Sequence, residues 1–162
     1  MIMKIFIDTN VLLDVFQNRV PYVDDSIQLW ALAESRKAEI FISAISFNNI
    51  FYIMRKHEGM NSAQRAVEVL NSNFSMVPLT QDIIGKAIMA KNPDFEDSIQ
   101  FFSALSIEAD CIVTRNVKDF PPDILPVLTP DEGRPDPFFF DLDHRSAGSV
   151  SMDDVVRNGI GD

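Results

Sequence analysis

Short apolar, strand-like runs alternate along the first 130 positions with longer segments whose apolar residues recur every three to four places. Lys4–Ile7 is the first such run, and Thr9–Phe16 behind it has the pattern of a helix, with Thr9 placed to cap it. Pro21 occupies a first-turn position for a second helix, Val23–Arg36, which puts Ile27, Trp30, Ala31 and Leu32 on one face. Glu39–Ile42 is a second strand. Ala44–Arg55 follows as a helix, with Ser43 as cap, and Ser62–Leu70 as another, with Asn61 as cap. Phe74–Val77 is a third strand ended by Pro78, and Thr80–Ala90 is helical. Asn92-Pro93-Asp94 stops that helix and starts Phe95–Ala109, amphipathic through Ile99, Phe102, Leu105 and Ile107. Asp110–Thr114 is a fourth strand around Cys111, Ile112 and Val113, and Pro126–Leu128 a short fifth.

Strand and helix in alternation imply crossover connections, hence an α/β fold: a mostly parallel sheet of four to five strands with helices on both faces. In such folds the polar residues that work lie just past the carboxyl ends of the strands. Asp8 follows the first strand there, and Asn116 and Asp119 follow the fourth. Asp94, Glu96 and Asp97 open the helix that feeds the fourth strand. Three acidic clusters, remote in sequence, are thus expected to converge on one crevice, and converging carboxylates need a cation between them.

Composition narrows the cation. With Cys111 as the one cysteine there is neither an internal disulfide nor a cysteine-rich zinc site, and His57 and His144 are not at metal-ligand spacing. Hard oxygen ligands remain, which select Mg²⁺ or Mn²⁺. Such an ion binds phosphate oxygens and lowers the pKa of a bound water. The formal charge of −10 removes any global attraction to nucleic acid or anionic lipid, so a nucleic-acid contact must use a local basic patch or a bound cation. At 46% hydrophobic the chain can build a core, and its apolar runs are too short to span a membrane. The start, MIMKIFID, has no long apolar region of a signal peptide, so the cytoplasm is the default location.

The charge is uneven. Residues 131–162 hold 8 acidic and 3 basic residues and several Gly and Pro, which sets them apart as an acidic C-terminal extension to a domain at 1–130. The run Phe138-Phe139-Phe140 implies that part of this extension docks on something, since three phenylalanines are costly to leave in water.

Plainer roles compete at several positions. Asp94 and Asp97 have the spacing of an N-cap and its third helical residue, and Asp119 suits a turn. Thr9, Asn10 and Thr114 adjoin the acids and can orient them. Arg55, Lys56, His57 and Arg65 form the densest basic stretch, and Arg115 and Lys118 flank Asn116. Either group would hold a phosphate backbone or simply form a solvated face. Trp30, Phe101, Phe102 and Cys111 fall at core positions.

FIDTNVLLD, FISAISFNNIFYIMRK and DFEDSIQFFSALSIEADCIVTRNVKDF, in that order and strand context, resemble the PIN domain family over residues 3–130. The resemblance implies a 5′-nuclease-like fold, a metal-dependent ribonuclease and, as in many bacterial members, a toxin held inactive by an antitoxin. It implies Asp8 as the first metal-binding acid and Asp97 as the later one. Dimers are common in the family, although nothing in this sequence marks an interface. Two positions depart from the family pattern: Asn49 stands where a glutamate is usual, and Asn116 where an acid is frequent. Asp119, Asp94 or Glu96 are the acids placed to compensate.

Two alternatives stay open. A degenerate domain that binds RNA or protein without cutting is motivated by Asn49 and Asn116. A phosphatase of the haloacid-dehalogenase type also begins with a strand-end aspartate. Its chemistry needs a second aspartate two residues on, where this chain has Asn10.

Overall fold

Five strands, β1 (Met3–Ile7), β2 (Ala38–Ser43), β3 (Ser75–Val77), β4 (Cys111–Val113) and β5 (Val127–Leu128), form one sheet in the order β3-β2-β1-β4-β5. Every pairing is parallel, as the alternation of elements requires. The computed structural model describes residues 2–133. The Phe138-Phe139-Phe140 run, His144 and the remainder of the chain from 134 lie outside the described residues.

Successive strand residues point to opposite faces, and the sheet divides two cores accordingly. Ile5, Ile7, Cys111 and Val113 face one core with α1 (Thr9–Phe16), α2 (Val23–Glu34), α3 (Ala44–Glu58) and α4 (Met60–Asn73). Phe6 and Ile112 face the other with α5 (Gln81–Ala90) and α6 (Phe95–Ser106). Trp30, 2% exposed, anchors the first core between Phe16 and Phe74, its ring centroid 5.3 Å from one and 4.9 Å from the other. At the opposite end of the sheet, Lys4 and Asp110 clamp β1 to the start of β4. The Lys4 N–H donates to Asp110 Oδ2 at 2.8 Å, and the Asp110 N–H to the Lys4 carbonyl at 2.8 Å.

The elements follow the sequence pattern, with instructive differences. Ser43 caps α3 as expected, its hydroxyl accepting from the Ile45 N–H. Thr80 caps α5 rather than lying inside it. Thr9 is not a cap: Asp8 holds that position and Thr9 is the first helical residue. Asn61 is not a cap either, because α4 starts at Met60, two residues before the expected Ser62, after Gly59 at φ 93°. Pro21 stands before the N-cap Tyr22 and not in the first turn of α2. Helix α6 ends at Ser106 and buries Ile99, Phe101, Ser103 and Ala104 most deeply, leaving Phe102 and Leu105 half-buried. Small residues on its inner face let α6 lie close to the sheet, and the Ser103 hydroxyl is satisfied by the Ile99 carbonyl at 2.7 Å.

After β5 the chain makes a turn in which the Gly133 N–H donates to the Thr129 carbonyl at 2.8 Å. A Cβ on Gly133 would sit 2.9 Å from Val113 Cγ2 and 3.4 Å from Leu29 Cδ2, so the absence of a side chain is what permits this approach. No helix among the described residues is long and apolar enough to cross a membrane.

Candidate functional site

Strand order departs in opposite directions from β1, toward β2 on one side and β4 on the other. The crevice at such a switch point is where open parallel sheets place their ligands. Asp8 leaves the end of β1 there, its N–H donating to the Val113 carbonyl of β4 at 3.0 Å. Its side chain is 2% exposed, and Thr114 Oγ1 donates to Asp8 Oδ2 at 2.8 Å. The Asn116 N–H donates in turn to Thr114 Oγ1 at 3.0 Å, which ties the loop after β4 to the same carboxylate. Burial pushes the Asp8 carboxyl up from 3.8 to about 6. The Thr114 hydroxyl pulls against this, the Glu96 charge adds to it, and the N–H groups of Thr9 and Asn10 pull it down.

Asp97 enters from the first turn of α6. Desolvation pushes its carboxyl up to about 7, followed by repulsion from Asp8, Asp94, Asp119 and Glu96 in that order. The three acidic stretches therefore share one field. Asp94 itself is the N-cap of α6, its Oδ1 accepting from the Asp97 N–H at 3.1 Å, so the capping role read from the spacing is present as well. Among the described residues, no lysine or arginine is among the groups that shift Asp8 or Asp97.

Beneath the acids lies a neutral hydrogen-bond network that the sequence did not disclose. Thr9 Oγ1 is 2.8 Å from Ser46 Oγ of α3, and Gln100 Nε2 of α6 donates to Thr9 Oγ1 at 2.8 Å. Thr9 Oγ1 and Gln100 Nε2 each donate to Glu96 Oε1 at 3.3 Å. Ser46 and Gln100 are fully buried. This network joins α1, α3 and α6 under the mouth and orients Glu96. Asn49, one helical turn beyond Ser46 on α3, is half-buried.

Asn116 and Asp119 are exposed, at either end of a 3₁₀ turn, Val117–Asp119. Asn116 reaches the site through its backbone, and Asp119 through its charge on Asp97. Arg55, Lys56, His57 and Arg65 are exposed, the first three in the last turn of α3, where cations complement the helix dipole. Cys111 is buried and its thiol is pushed up to about 12, which suits a packing residue and not a nucleophile.

Arg115 is no solvated surface residue. Its Nε pairs with Asp14 Oδ2 at 2.8 Å, and Arg19 Nη1 approaches Asp14 Oδ1 at 3.8 Å. Asp14 is fully buried in α1; burial raises its carboxyl, while Arg115 and then Arg19 oppose that. The signal was present in TNVLLDVF: an acid within a helix apolar on every side needs a partner.

Among the described residues, no three Asp, Glu, His or Cys side chains form a ready-made metal cage. Two carboxyls pushed above their ordinary range, Asp8 buried and Asp97 half-buried, with hydroxyl oxygens beside them, are a different donor set. Mg²⁺ takes one or two protein carboxylates and completes its shell with water or phosphate oxygens. The residues present fit a hard cation bound in that manner.

The family model for the PIN domain matches residues 4–118. Ribonuclease VapC1 of Aquifex aeolicus (strain VF5) is 27% identical over 134 residues, which cover 80% of this chain and 92% of that protein. A toxin–antitoxin complex from Klebsiella pneumoniae contains a chain that is 26% identical with a TM-score of 0.58, covering 77% of this chain and 96% of its own. VapBC2 from Rickettsia felis, bound to a DNA fragment from its promoter, matches with a TM-score of 0.59, covering 78% of this chain and 98% of that one. Its 17% identity makes that a likeness of fold alone.

Proposed function

This chain belongs to the PIN domain family, and from that premise we propose that it is a Mg²⁺- or Mn²⁺-dependent endoribonuclease, the toxin of a toxin–antitoxin pair. The observation that carries the reading is the pair Asp8 and Asp97: two carboxyls at the switch point, pushed up to about 6 and about 7, with no lysine or arginine of the described residues among the groups that shift them. Asp8 and Asp97 would hold the ion, with Asn116 or Asp119 completing the site. When bound, the ion supplies positive charge for the phosphate oxygens and a lowered pKa for its water.

The remaining work belongs to the protein. Thr114 fixes the rotamer of Asp8 by donating to Oδ2. Thr9, Ser46 and Gln100 hold Glu96 from below, and Glu96 keeps the field at the mouth negative. A net-acidic protein thereby engages RNA only once the cation is in place. The antitoxin partner is supported by the likeness to the Klebsiella complex, and the ribonuclease activity by the likeness to VapC1. Residues 131–162 would be an extension beyond the catalytic domain, and the cytoplasm the place of action.

The test is cleavage of a labelled RNA mixture with Mn²⁺ against the same reaction in EDTA. Wild-type protein is expected to cut only with the metal, and Asp8→Asn to lose cutting by a factor on the order of 10³ with its fold retained. Equal cutting by Asp8→Asn would remove Asp8 from the mechanism. Asn49 and Asn116 favour a second reading, a binding module that does not cut. Calorimetric titration separates the two. Sub-millimolar Mn²⁺ binding that vanishes in Asp97→Ala favours the enzyme, and no binding favours the module.

A further inference from the structure

One charged cluster has no part in the chemistry above, yet it begins one residue past Thr114. The Arg115 guanidinium lies over the Tyr22 ring, its Cζ 4.4 Å from the ring centroid. Asp14 grips the same guanidinium from the interior at 2.8 Å. Tyr22 is 43% exposed although it is a large aromatic residue. Arg19 adds a second cation to the same buried carboxylate, and Asp24 and Asp25 follow in the first turn of α2.

Arg115 is paired with Asp14 and stacked on Tyr22, and both side chains stay partly exposed, Tyr22 at 43% and Arg115 at 23%, so part of the entropy of ordering them is spent before any ligand arrives. It adjoins the mouth through the backbone: Thr114, which donates to Asp8, is directly bonded to Arg115. A ring and a guanidinium plane beside a phosphate-directed site match the chemistry of a nucleobase, which stacks on either surface without regard to its identity. We propose that Tyr22 and Arg115 form a stacking subsite for a base of single-stranded RNA, next to the nucleotide whose phosphate faces Asp8. The proposal rests on the ribonuclease reading and extends it to how the strand is gripped.

The test is fluorescence anisotropy with the wild-type full chain in Mn²⁺, on octamers with phosphorothioate linkages so that they resist cleavage. Two probes are used, a labelled uridine octamer and a labelled abasic octamer of equal length. Tyr22→Ala is expected to weaken the uridine octamer about tenfold and to leave the abasic octamer unchanged. Tyr22→Phe, which keeps the ring, should restore the affinity. Unchanged uridine binding in Tyr22→Ala, or an equal loss for both octamers, overturns the subsite and leaves the ribonuclease reading standing. If the protein with Tyr22 intact binds neither octamer, the ribonuclease reading falls and the subsite with it.

Discussion

Helix α1 carries a buried aspartate at each end of its first two turns, and their surroundings are opposites. Asp14 is fully buried and meets two guanidiniums, Arg115 at 2.8 Å and Arg19 at 3.8 Å. Asp8 is 2% exposed and meets a hydroxyl, two backbone N–H groups and other acids. Among the described residues, the fold sets counter-charges against Asp14 and none against Asp8. A carboxylate with a built-in counter-charge belongs to the architecture; one without it, at a sheet switch point, is where the proposed cation would sit.

Mutation of each aspartate should separate the two roles. Asp14→Ala strands two arginines over a buried void and is expected to cost about 3 kcal/mol in chemical denaturation, at the low end for a broken buried pair because both guanidiniums reach solvent. A loss below about 1 kcal/mol would mean that Asp14 is not the keystone of the pair. Thr114→Val removes the donor to Asp8 Oδ2 and should cost roughly 1–2 kcal/mol, with a further rise of the Asp8 carboxyl seen by NMR titration. Asp8→Asn should act in the other direction. Deleting a buried, uncompensated charge is expected to stabilise the metal-free protein at neutral pH by on the order of 1 kcal/mol, where Asp14→Asn would destabilise it.

The smallest effect is in the pH dependence. Asp8 and Asp97 have pKa values raised in the folded state, to about 6 and about 7 from 3.8. Between the unfolded and folded values the native state binds more protons, so stability falls as pH rises through that window. In EDTA, the melting temperature of the wild type should therefore decline from about pH 4 to pH 7 relative to Asp8→Asn, in which the Asp8 share of the slope is gone. Parallel profiles for the two proteins would show that burial does not hold the Asp8 proton.

Much of this was legible along the chain. The alternation of short apolar runs with 3.6-residue periodicity marked the five strands and six α-helices of the described residues, though not the 3₁₀ turn Val117–Asp119. The rule that polar residues gather past strand ends led to Asp8, and local spacing led to the caps Ser43 and Asp94. What escaped was non-local. Ser46 and Gln100 are neutral residues on helices, and nothing in their neighbours marks them; only the meeting of α3 and α6 under Thr9 gives them partners. Arg115 looked like surface because its partner lies 101 positions away on another element. The inner face of α6 was misjudged for a related reason. Weighting by hydrophobic size favoured Phe102 and Leu105, whereas close packing favoured Ser103 and Ala104.

Gly133 gives the end of the described chain an unexpected neighbour. The backbone there rests on Val113, whose successor Thr114 orients Asp8. The hydroxyl that aims the buried acid is one residue further along, so a side chain placed at 133 would press on its immediate neighbour.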